Sequence, residues 1–518
     1  MAAGAFAPII DGLLRGEITT KEALHRAKVE LCRSGVLAAI PTDAAILAAA
    51  DPDVRPRIEP LLRTKASRTA SGVAVVATMT APYACPHGRC VYCPGGPTRG
   101  TPQSYLGTEP AAMRGAQHGY DPYRQTRARV AQLRAIGHAT DKVDFIVLGG
   151  TFTNFPAAYR ESFVKGCYDG LNEFESPTLA DAMRANETAA NRMIGLTIET
   201  KPERFGPPEV AHAMSLGVTR VEFGVQSTFD DVLSRVNRGH TVQDVRNATR
   251  RAKDAGLKVC YHMMPGLPGT DAERDLASFR TIFEDPDFRP DMLKIYPTLV
   301  LPGTGLHELW RRGEYEPLTT EMVVERVAAA KEIVPPWVRI LRIQREIGVP
   351  EVVAGLAAGN VRELARARLA AEGKRCRCIR CREVGLRGRR FRGSEVRFDR
   401  IGYEASGGRE EFLSLAVDED ALVGYARLRG SERGAYLREL KVFGHVVPLN
   451  GEPSSEWQHR GFGARLLEGC ERIAREEWGH SVLRVTSGVG VREYYRQYAR
   501  RRGRTARMDG PHVALPLR

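Results

Sequence analysis

The chain has 518 residues, of which 43% are hydrophobic and 27% are charged, and its formal net charge is +14. These proportions are typical of a globular protein with several cores, and they exclude a disordered chain or a small disulfide scaffold. No run of about 18 uncharged apolar residues occurs, and acidic residues come too early for a signal peptide, so we predict a cytoplasmic protein with reduced cysteines. The basic charge favours a polyanionic partner such as a nucleic acid.

The first 70 residues have apolar positions at helical spacing, and Thr20 is placed to cap a helix. From Val73 onward, six short apolar runs alternate with helix-length segments. These runs are VAVVATM, FIVLGG, MIGLTIET, RVEFGVQS, VCYHMM and MLKIYP. Apolar strands that alternate with helices predict parallel β/α units. We therefore predict a partial or complete (β/α) barrel over residues 71–335, with its active site at the carboxyl ends of the strands.

Several predicted strands end in residues that suit a binding site. Gly149 and Gly150, in VLGGTFTN, would let the backbone approach a ligand closely. Glu199 and Lys201 in ETKPE, and Gln226 in GVQS, are candidate contacts for a cofactor or a substrate. The alternative for each position is an ordinary turn or a capping polar group.

The segment CPHGRCVYCPGG, residues 85–96, places Cys85, Cys90 and Cys93 in a C-x4-C-x2-C spacing after the first predicted strand. Three thiolates in one loop can hold three irons of a 4Fe-4S cluster and leave the fourth iron open to a ligand. The alternative is a structural zinc knuckle with His87 as the fourth ligand. A loop at the top of a β/α barrel favours the cluster, because a zinc ribbon would supply a second ligand pair nearby in the sequence.

A second triplet, Cys376, Cys378 and Cys381, lies in an arginine-rich segment that we interpret as a metal-binding linker, residues 336–395. We predict a structural zinc ion there with an unidentified fourth ligand, the alternative being surface cysteines without a metal. The surrounding arginines suit the phosphates of a folded RNA, or else form a solvated linker. They are Arg375, Arg377, Arg380, Arg382, Arg387, Arg389, Arg390 and Arg392. The four isolated cysteines are predicted core thiols: Cys32, Cys167, Cys260 and Cys470.

The last 120 residues or so show a compact α/β pattern around the segment WQHRGFGARLLEGCERIA. Gly461 and Gly463 would expose backbone N–H groups at a helix N-terminus, which can bind a pyrophosphate. The alternative is a glycine-rich helix start without a ligand. The order of strand, motif, helix, strand and REYYRQ resembles the GNAT acetyltransferases, in which the motif holds acetyl-CoA. In that fold Tyr494 or Tyr495 would protonate the departing thiolate, and the other tyrosine would lie in the core.

The cysteine loop on a barrel resembles the radical S-adenosylmethionine (SAM) enzymes, whose usual first cysteine gap is one residue shorter. A radical SAM barrel followed by a GNAT domain resembles the family of the Elongator catalytic subunit, over residues 60–518. The segments that carry this resemblance are TASGVAVVATMTAPYACPHGRCVYCPGGP, TPQSYLGTEPAAMR, YDPYRQTRARVAQLRAIGHATDKVDFIVLGGTF, WVRILRIQREI, CREVG and WQHRGFG. After Tyr495 the chain departs from the family, because arginines replace the expected LGY turn and bring the last strand into question.

The resemblance implies a tRNA-modifying enzyme of the acyltransferase class that installs a carboxymethyl group at C5 of the wobble uridine. The cluster would reduce SAM, the deoxyadenosyl radical would take hydrogen from the methyl group of acetyl-CoA, and the carbon radical would add to the base. Hydrolysis would then release CoA. The resemblance places the SAM amino group at the Gly149–Gly150 position. The acetyl-CoA contacts that it implies are Lys142, Glu439, Leu440, Lys441, Val442, Trp457, Gln458, His459 and Tyr495.

The expected organisation is an N-terminal helical, tRNA-binding region (1–70), the radical SAM barrel (71–335), the linker with its zinc module (336–395) and the GNAT domain (396–518). The expected partners are tRNA, SAM and acetyl-CoA, with no membrane. A first alternative function is a protein lysine acetyltransferase with a structural barrel. A second is a tRNA-binding protein without catalytic activity.

Overall fold

The computed structural model describes residues 2–64, 69, 72–387, 395–443 and 461–518. Its N-terminal helices pack on a small core of their own that includes Ile9, Leu24 and Ile46. These helices are α1 (Ala2–Ala5), α2 (Ala7–Leu14), α3 (Lys21–Arg33), α4 (Asp43–Ala49) and α5 (Arg55–Leu62). Thr20 caps α3 as predicted, because its Oγ1 accepts a hydrogen bond from the Ala23 N–H at 3.1 Å.

Seven parallel strands, hydrogen-bonded in chain order, form an open partial barrel. They are β1 (Ala74–Met79), β2 (Lys142–Leu148), β3 (Arg192–Thr200), β4 (Arg220–Gln226), β5 (Lys258–Met263), β6 (Met292–Ile295) and β7 (Arg339–Ile343). The six predicted strands are confirmed. The seventh lies beyond the expected end of the barrel at residue 335, because its apolar residues alternate with arginines and so read as part of the basic linker.

Helices cover the outside of the barrel and bury apolar residues such as Phe145, Leu196 and Phe223 between themselves and the sheet. The helices after β1 and β2 are α6 (Pro110–Gln117), α7 (Pro122–Ala135), α8 (Ala157–Asn172) and α9 (Leu179–Asn186). Those after β3, β4 and β5 are α10 (Pro207–Ser215), α11 (Asp230–Arg235), α12 (Val242–Asp254) and α13 (Ala272–Glu284). The remaining ones are α14 (Gly305–Arg311), α15 (Thr320–Ile333), α16 (Val361–Ala371) and α17 (Ile379–Arg382). In the part of the chain that is described, no helix combines the length and apolar character needed to cross a bilayer.

A second, mixed sheet of seven strands follows, in the order β13-β14-β12-β11-β10-β9-β8. Its strands are β8 (Arg397–Ala405), β9 (Gly408–Val417), β10 (Ala421–Ser431), β11 (Gly434–Val442), β12 (Val482–Val485), β13 (Arg507–Asp509) and β14 (His512–Pro516). Helix α18 (Phe462–Arg472), with a π-helical extension to Glu477, and α19 (Arg492–Arg500) pack on it. The expected effect of the arginines on the last strand is not observed, because β14 forms and pairs with β12.

A buried ion network fixes the second sheet against the amino ends of the barrel strands. Arg438 on β11 donates to both carboxylate oxygens of Asp291, just before β6, at 2.6 and 2.7 Å. Arg438 also donates to Glu410, and Arg429 on β10 pairs with Asp254 at 2.5 Å. Burial alone would raise the pKa of Asp291, but Arg438 and its neighbours hold it below its ordinary value. Breaking such a buried pair typically costs about 3–5 kcal/mol, so the two sheets are held in one relative position.

Candidate active site

A cavity of about 1070 Å³ opens at the carboxyl ends of the barrel strands. Five of the predicted site residues line it: Cys85, Gly150, Glu199, Lys201 and Gln226. They come from loops or strand ends spread over residues 85–226 of the chain, and the parallel sheet brings them to one edge. A cavity of this size is large enough for a cofactor together with part of a substrate.

Each cysteine of the first triplet lies beside a polar group that can stabilise a thiolate. Cys93 Sγ accepts a hydrogen bond from Gln103 Nε2 at 3.0 Å, and Cys90 Sγ accepts one from Arg238 Nη1 at 3.6 Å. Cys85 Sγ lies 3.5 Å from Thr151 Oγ1. Hydrogen bonds to the charged form of an acid favour that form, so the loop is suited to three metal-bound thiolates.

His87 supports the cysteine loop through hydrogen bonds at both of its ring nitrogens. The Lys201 ammonium lies 2.8 Å from His87 Nδ1 and can only donate, so Nδ1 accepts and Nε2 carries the hydrogen. Nε2 lies 3.2 Å from Cys90 Sγ and therefore donates to it. Burial, together with the charges of Lys201 and Arg238, lowers the pKa of His87 to about 4. This arrangement argues against a zinc knuckle with His87 as the fourth ligand.

The spacing of the sulfur atoms separates the two triplets. The Sγ atoms of Cys376, Cys378 and Cys381 all lie within 4.8 Å of one another. Tetrahedral Zn–S bonds of 2.3 Å place two sulfurs about 3.8 Å apart, so this group fits a single ion. Within the described ranges, the first triplet forms no such close group. At least two of its sulfurs are therefore more than 4.8 Å apart, which is wider than a single tetrahedral zinc ion allows.

The glycine pair after β2 has two different roles. Gly149 has φ +133°, and a Cβ built on it would lie 1.9 Å from Thr80 Oγ1, so this glycine is needed where the ends of β1 and β2 meet. Gly150 has φ +98° and lines the cavity. Gly150 therefore lies where a ligand could approach its backbone, whereas Gly149 allows the close contact between the two strand ends.

The barrel interior holds a polar cluster that the sequence analysis missed. Lys294 on β6 donates to Glu199 at 3.2 Å and also contacts Glu222 on β4. His262 on β5 lies with Nε2 2.8 Å from Glu222 Oε2. Burial would raise the pKa of Glu222, but Lys294, His262 and Arg220 hold it well below its ordinary value. Each member is a single polar residue inside an apolar run, and strand alternation, which points it toward the barrel axis, was the available signal.

At the other end of the molecule, the second sheet presents an open strand edge. Strand β11 pairs with β12 only over residues 435–437, whereas Glu439–Val442 pair with β10 alone among the described strands. Gly461 is the N-cap of α18 in the left-handed conformation. A Cβ on Gly463 would lie 2.8 Å from the Tyr494 hydroxyl, so this tyrosine reaches the first turn of α18. Tyr495 is buried, and burial raises its pKa.

Comparisons with known proteins agree with this geometry. The Radical SAM superfamily model matches residues 79–280, the Radical_SAM C-terminal domain model matches 290–371, and the ELP3 N-terminal domain model matches 3–70. A tRNA uridine(34) acetyltransferase of Methanocaldococcus jannaschii is 44% identical over 508 residues, which cover 94% of each chain. The chain belongs to the Elongator protein 3 family. The Elongator complex protein 3 of Drosophila melanogaster is 44% identical over 531 residues, covering 98% of this chain and 95% of that one.

A solved structure of a relative in this family confirms the fold. The archaeal Methanocaldococcus infernus Elp3, with residues 1–46 deleted, superimposes with a TM-score of 0.75 at 41% identity. The match covers 86% of this chain and 99% of the other. The predicted partial barrel followed by a second α/β domain is therefore confirmed, as is the resemblance to the Elongator catalytic subunit. The predicted helical N-terminus is confirmed by helices α1–α5 and by the match of the N-terminal domain model.

The remaining predicted residues of this family member lie away from the cysteine loop or outside the described ranges. Lys142 is the first residue of β2, at the amino end of the barrel where the second sheet docks, and burial lowers its pKa. Glu439 accepts a hydrogen bond from Arg427 at 2.9 Å. The residues outside the described ranges are Trp457, Gln458, His459, Arg389, Arg390 and Arg392. All ten cysteines are described and none forms a disulfide; three of the four predicted core thiols are buried, whereas Cys32 is partly exposed.

Proposed function

We propose that this chain is a tRNA-modifying enzyme that uses SAM and acetyl-CoA to install a carboxymethyl group at C5 of the wobble uridine. One observation carries the proposal. The cysteine loop lies at the carboxyl ends of the barrel strands, the unpaired edge of β11 among the described strands lies near their amino ends, and the barrel interior between them is polar. The name tRNA uridine(34) acetyltransferase, which its relatives bear, supports the substrate. A protein lysine acetyltransferase is less well supported, because it gives the cavity and its cysteine loop no role.

In the barrel, Cys85, Cys90 and Cys93 would hold a 4Fe-4S cluster with one iron open to SAM, and such a cluster supplies the electron for radical chemistry. The chain's own contribution is to stabilise the thiolates and orient the cofactor. His87 and Arg238 donate toward the Cys90 sulfur. We assign Gly150, Glu199, Lys201 and Gln226 to SAM or substrate contacts. Gln226 supports this assignment, since its buried Oε1 has no hydrogen-bond partner among the described residues and its φ is +73°.

In the second domain, the first turn of α18 after Gly461 would bind the pyrophosphate of acetyl-CoA through backbone N–H groups. The amide groups of the pantetheine arm would pair with the open edge at Glu439–Val442, as an added strand does. Tyr494 is exposed and reaches the same turn, which favours it as the proton donor to the thiolate, whereas the family resemblance places Tyr495 among the acetyl-CoA contacts. We assign Lys142 to the acetyl end of the same ligand.

We further propose a structural zinc ion at Cys376, Cys378 and Cys381 and a cytoplasmic location. The partner RNA would contact the exposed arginines beside that triplet. Arg380 supports this route, because it also lines the cavity and so links the basic segment to the site.

The test is mass spectrometry of nucleosides from wobble-uridine tRNA incubated anaerobically with reconstituted protein, dithionite, SAM and acetyl-CoA. We expect carboxymethyluridine that depends on all four additions. Cleavage of SAM without a modified nucleoside would reject the substrate and keep the radical chemistry. Acetylation of a basic protein in place of tRNA would favour the lysine acetyltransferase.

A further inference from the structure

The polar interior of the barrel contains a histidine to which the proposed chemistry gives no task. His262 lies on β5 in the wall of the 1070 Å³ cavity. Its Nε2 is 2.8 Å from Glu222 Oε2, and its ring packs edge-on against Tyr296 with ring centres 5.3 Å apart. Nδ1 has no hydrogen-bond partner within the described ranges. One ring nitrogen is therefore anchored, and the other is available to a ligand.

The partner of His262 fixes the position of the ring proton. The Glu222 side chain is fully buried, contacts the Lys294 ammonium and lies 3.3 Å from Arg220 Nε. These two cations keep it ionised, and a carboxylate can only accept hydrogen bonds. His262 Nε2 must then carry the hydrogen, so in its neutral form the ring presents a lone pair at Nδ1.

A metal ion is a poorer explanation for the same cluster. Ligand atoms of Glu222, Cys260 and His262 lie within 4.8 Å of one another, as a small metal site would require. However, Lys294 and Arg220 already pair with the Glu222 carboxylate, and their positive charges would repel a metal cation. Burial also raises the pKa of the Cys260 thiol, which keeps it protonated and a poor ligand.

We propose that this wall of the cavity is a base-binding site that selects uracil, with His262 Nδ1 accepting a hydrogen bond from the N3–H of the ring. Uracil and cytosine have nearly the same shape, but N3 is a donor in uracil and an acceptor in cytosine. A fixed acceptor at Nδ1 pairs with uracil and meets the lone pair of cytosine N3. Enzymes that act on a base commonly read its Watson–Crick edge in this way, with an aromatic side chain such as Tyr296 beside it.

The inference rests on the proposed function, since it takes the nucleotide into this cavity, but it can be tested without turnover. We would measure the binding of the full-length protein to two anticodon stem-loops that carry U or C at the wobble position and are otherwise identical. Fluorescence anisotropy without SAM or acetyl-CoA reports affinity alone. A buried acceptor that loses its donor typically lowers affinity by roughly 10- to 100-fold, so the U stem-loop should bind that much more tightly than the C stem-loop.

Two variants and one altered RNA sharpen the test. In Glu222→Gln the amide can donate to Nε2, which moves the ring hydrogen to Nδ1, so the preference should shift from U toward C. In His262→Phe the U and C stem-loops should bind alike, whereas the control His480→Gln, in the second domain, should keep the wild-type ratio. If either barrel variant fails to fold, the wild-type protein can be titrated with a 3-methyluridine stem-loop, which lacks the donor and should bind like the C stem-loop.

Equal binding of the U and 3-methyluridine stem-loops to the wild-type protein would overturn the inference, as would an unchanged U preference in folded His262→Phe. Failure of the proposed function looks different. In that case the U preference would remain in the binding assay, but no carboxymethyluridine would form under the full reaction conditions.

Discussion

The two cysteine triplets have similar spacing in the sequence but different surroundings in the fold. The first is spread along a loop at the edge of the large cavity, and groups from other loops approach its sulfurs. The second is drawn together within 4.8 Å at α17, which hydrogen-bonds to the residue before β7 through Ile379. Close cysteine spacing thus predicts a metal-binding segment, whereas the neighbouring elements determine how far apart the sulfurs lie and which groups surround them.

The largest effect is expected from Cys93→Ala. Removing one of three cluster ligands should abolish the brown absorbance of the reconstituted protein and reduce nucleoside modification below detection. Absorbance spectra and nucleoside mass spectrometry measure the two effects. Cys32→Ala, on a partly exposed thiol of α3, is the matched control and should keep both properties. Full activity of Cys93→Ala would remove the basis for a cluster in this loop.

Cys378→Ala should produce the opposite pattern. We expect the zinc content to fall from about one ion per chain to none, while the brown absorbance remains. The melting temperature should fall by about 5–10 °C. This shift corresponds to a loss of about 2.5 kcal/mol in the free energy of unfolding, since each kcal/mol shifts the melting temperature by about 2–4 °C in domains of about 150–250 residues. Elemental analysis and calorimetry would show both changes. Loss of the brown absorbance in this variant would mean that the two triplets are not independent.

A smaller effect is expected when the charges of three exposed or partly exposed arginines beside the second triplet are reversed. The triple variant Arg375→Glu, Arg377→Glu and Arg380→Glu should weaken tRNA binding. It should also reduce the slope of log K against log salt concentration by about 2, if each arginine meets one phosphate. Arg382 is left unchanged, because it is buried and pairs with Asp420 at 2.8 Å. Arg433→Glu, in the β10–β11 turn, is the control, and equal effects of the two would place the RNA elsewhere.

Most of the barrel was predictable from the sequence because its strands are largely apolar runs, whereas β7 was missed because it is short and contains Arg339 and Arg342 within an arginine-rich segment. The cavity residues at strand ends were also predictable, since parallel strands bring their carboxyl ends together. The Glu222, His262 and Lys294 cluster was not, because its contacts join three strands. The roles of Gly149 and Gly150 likewise depend on which of the two meets Thr80, and this is set by packing between neighbouring strand ends.

The smallest effect is expected from replacing Lys331, a buried cation beside the second cysteine triplet. Lys331 on α15 is fully buried, and its ammonium lies 3.7 Å from Cys381 Sγ. Three thiolates on one Zn²⁺ leave a net negative charge, which this lysine can balance in a site with little water.

Lys331→Met keeps the length of the side chain and removes the charge. We therefore expect roughly 10-fold weaker zinc retention against a chelator, which is the range known for groups that contact metal ligands from behind. Lys331→Arg should restore part of the retention. If Lys331→Met retained zinc as tightly as the wild-type protein, the lysine would only fill space, and the difference between the triplets would come from sulfur spacing alone.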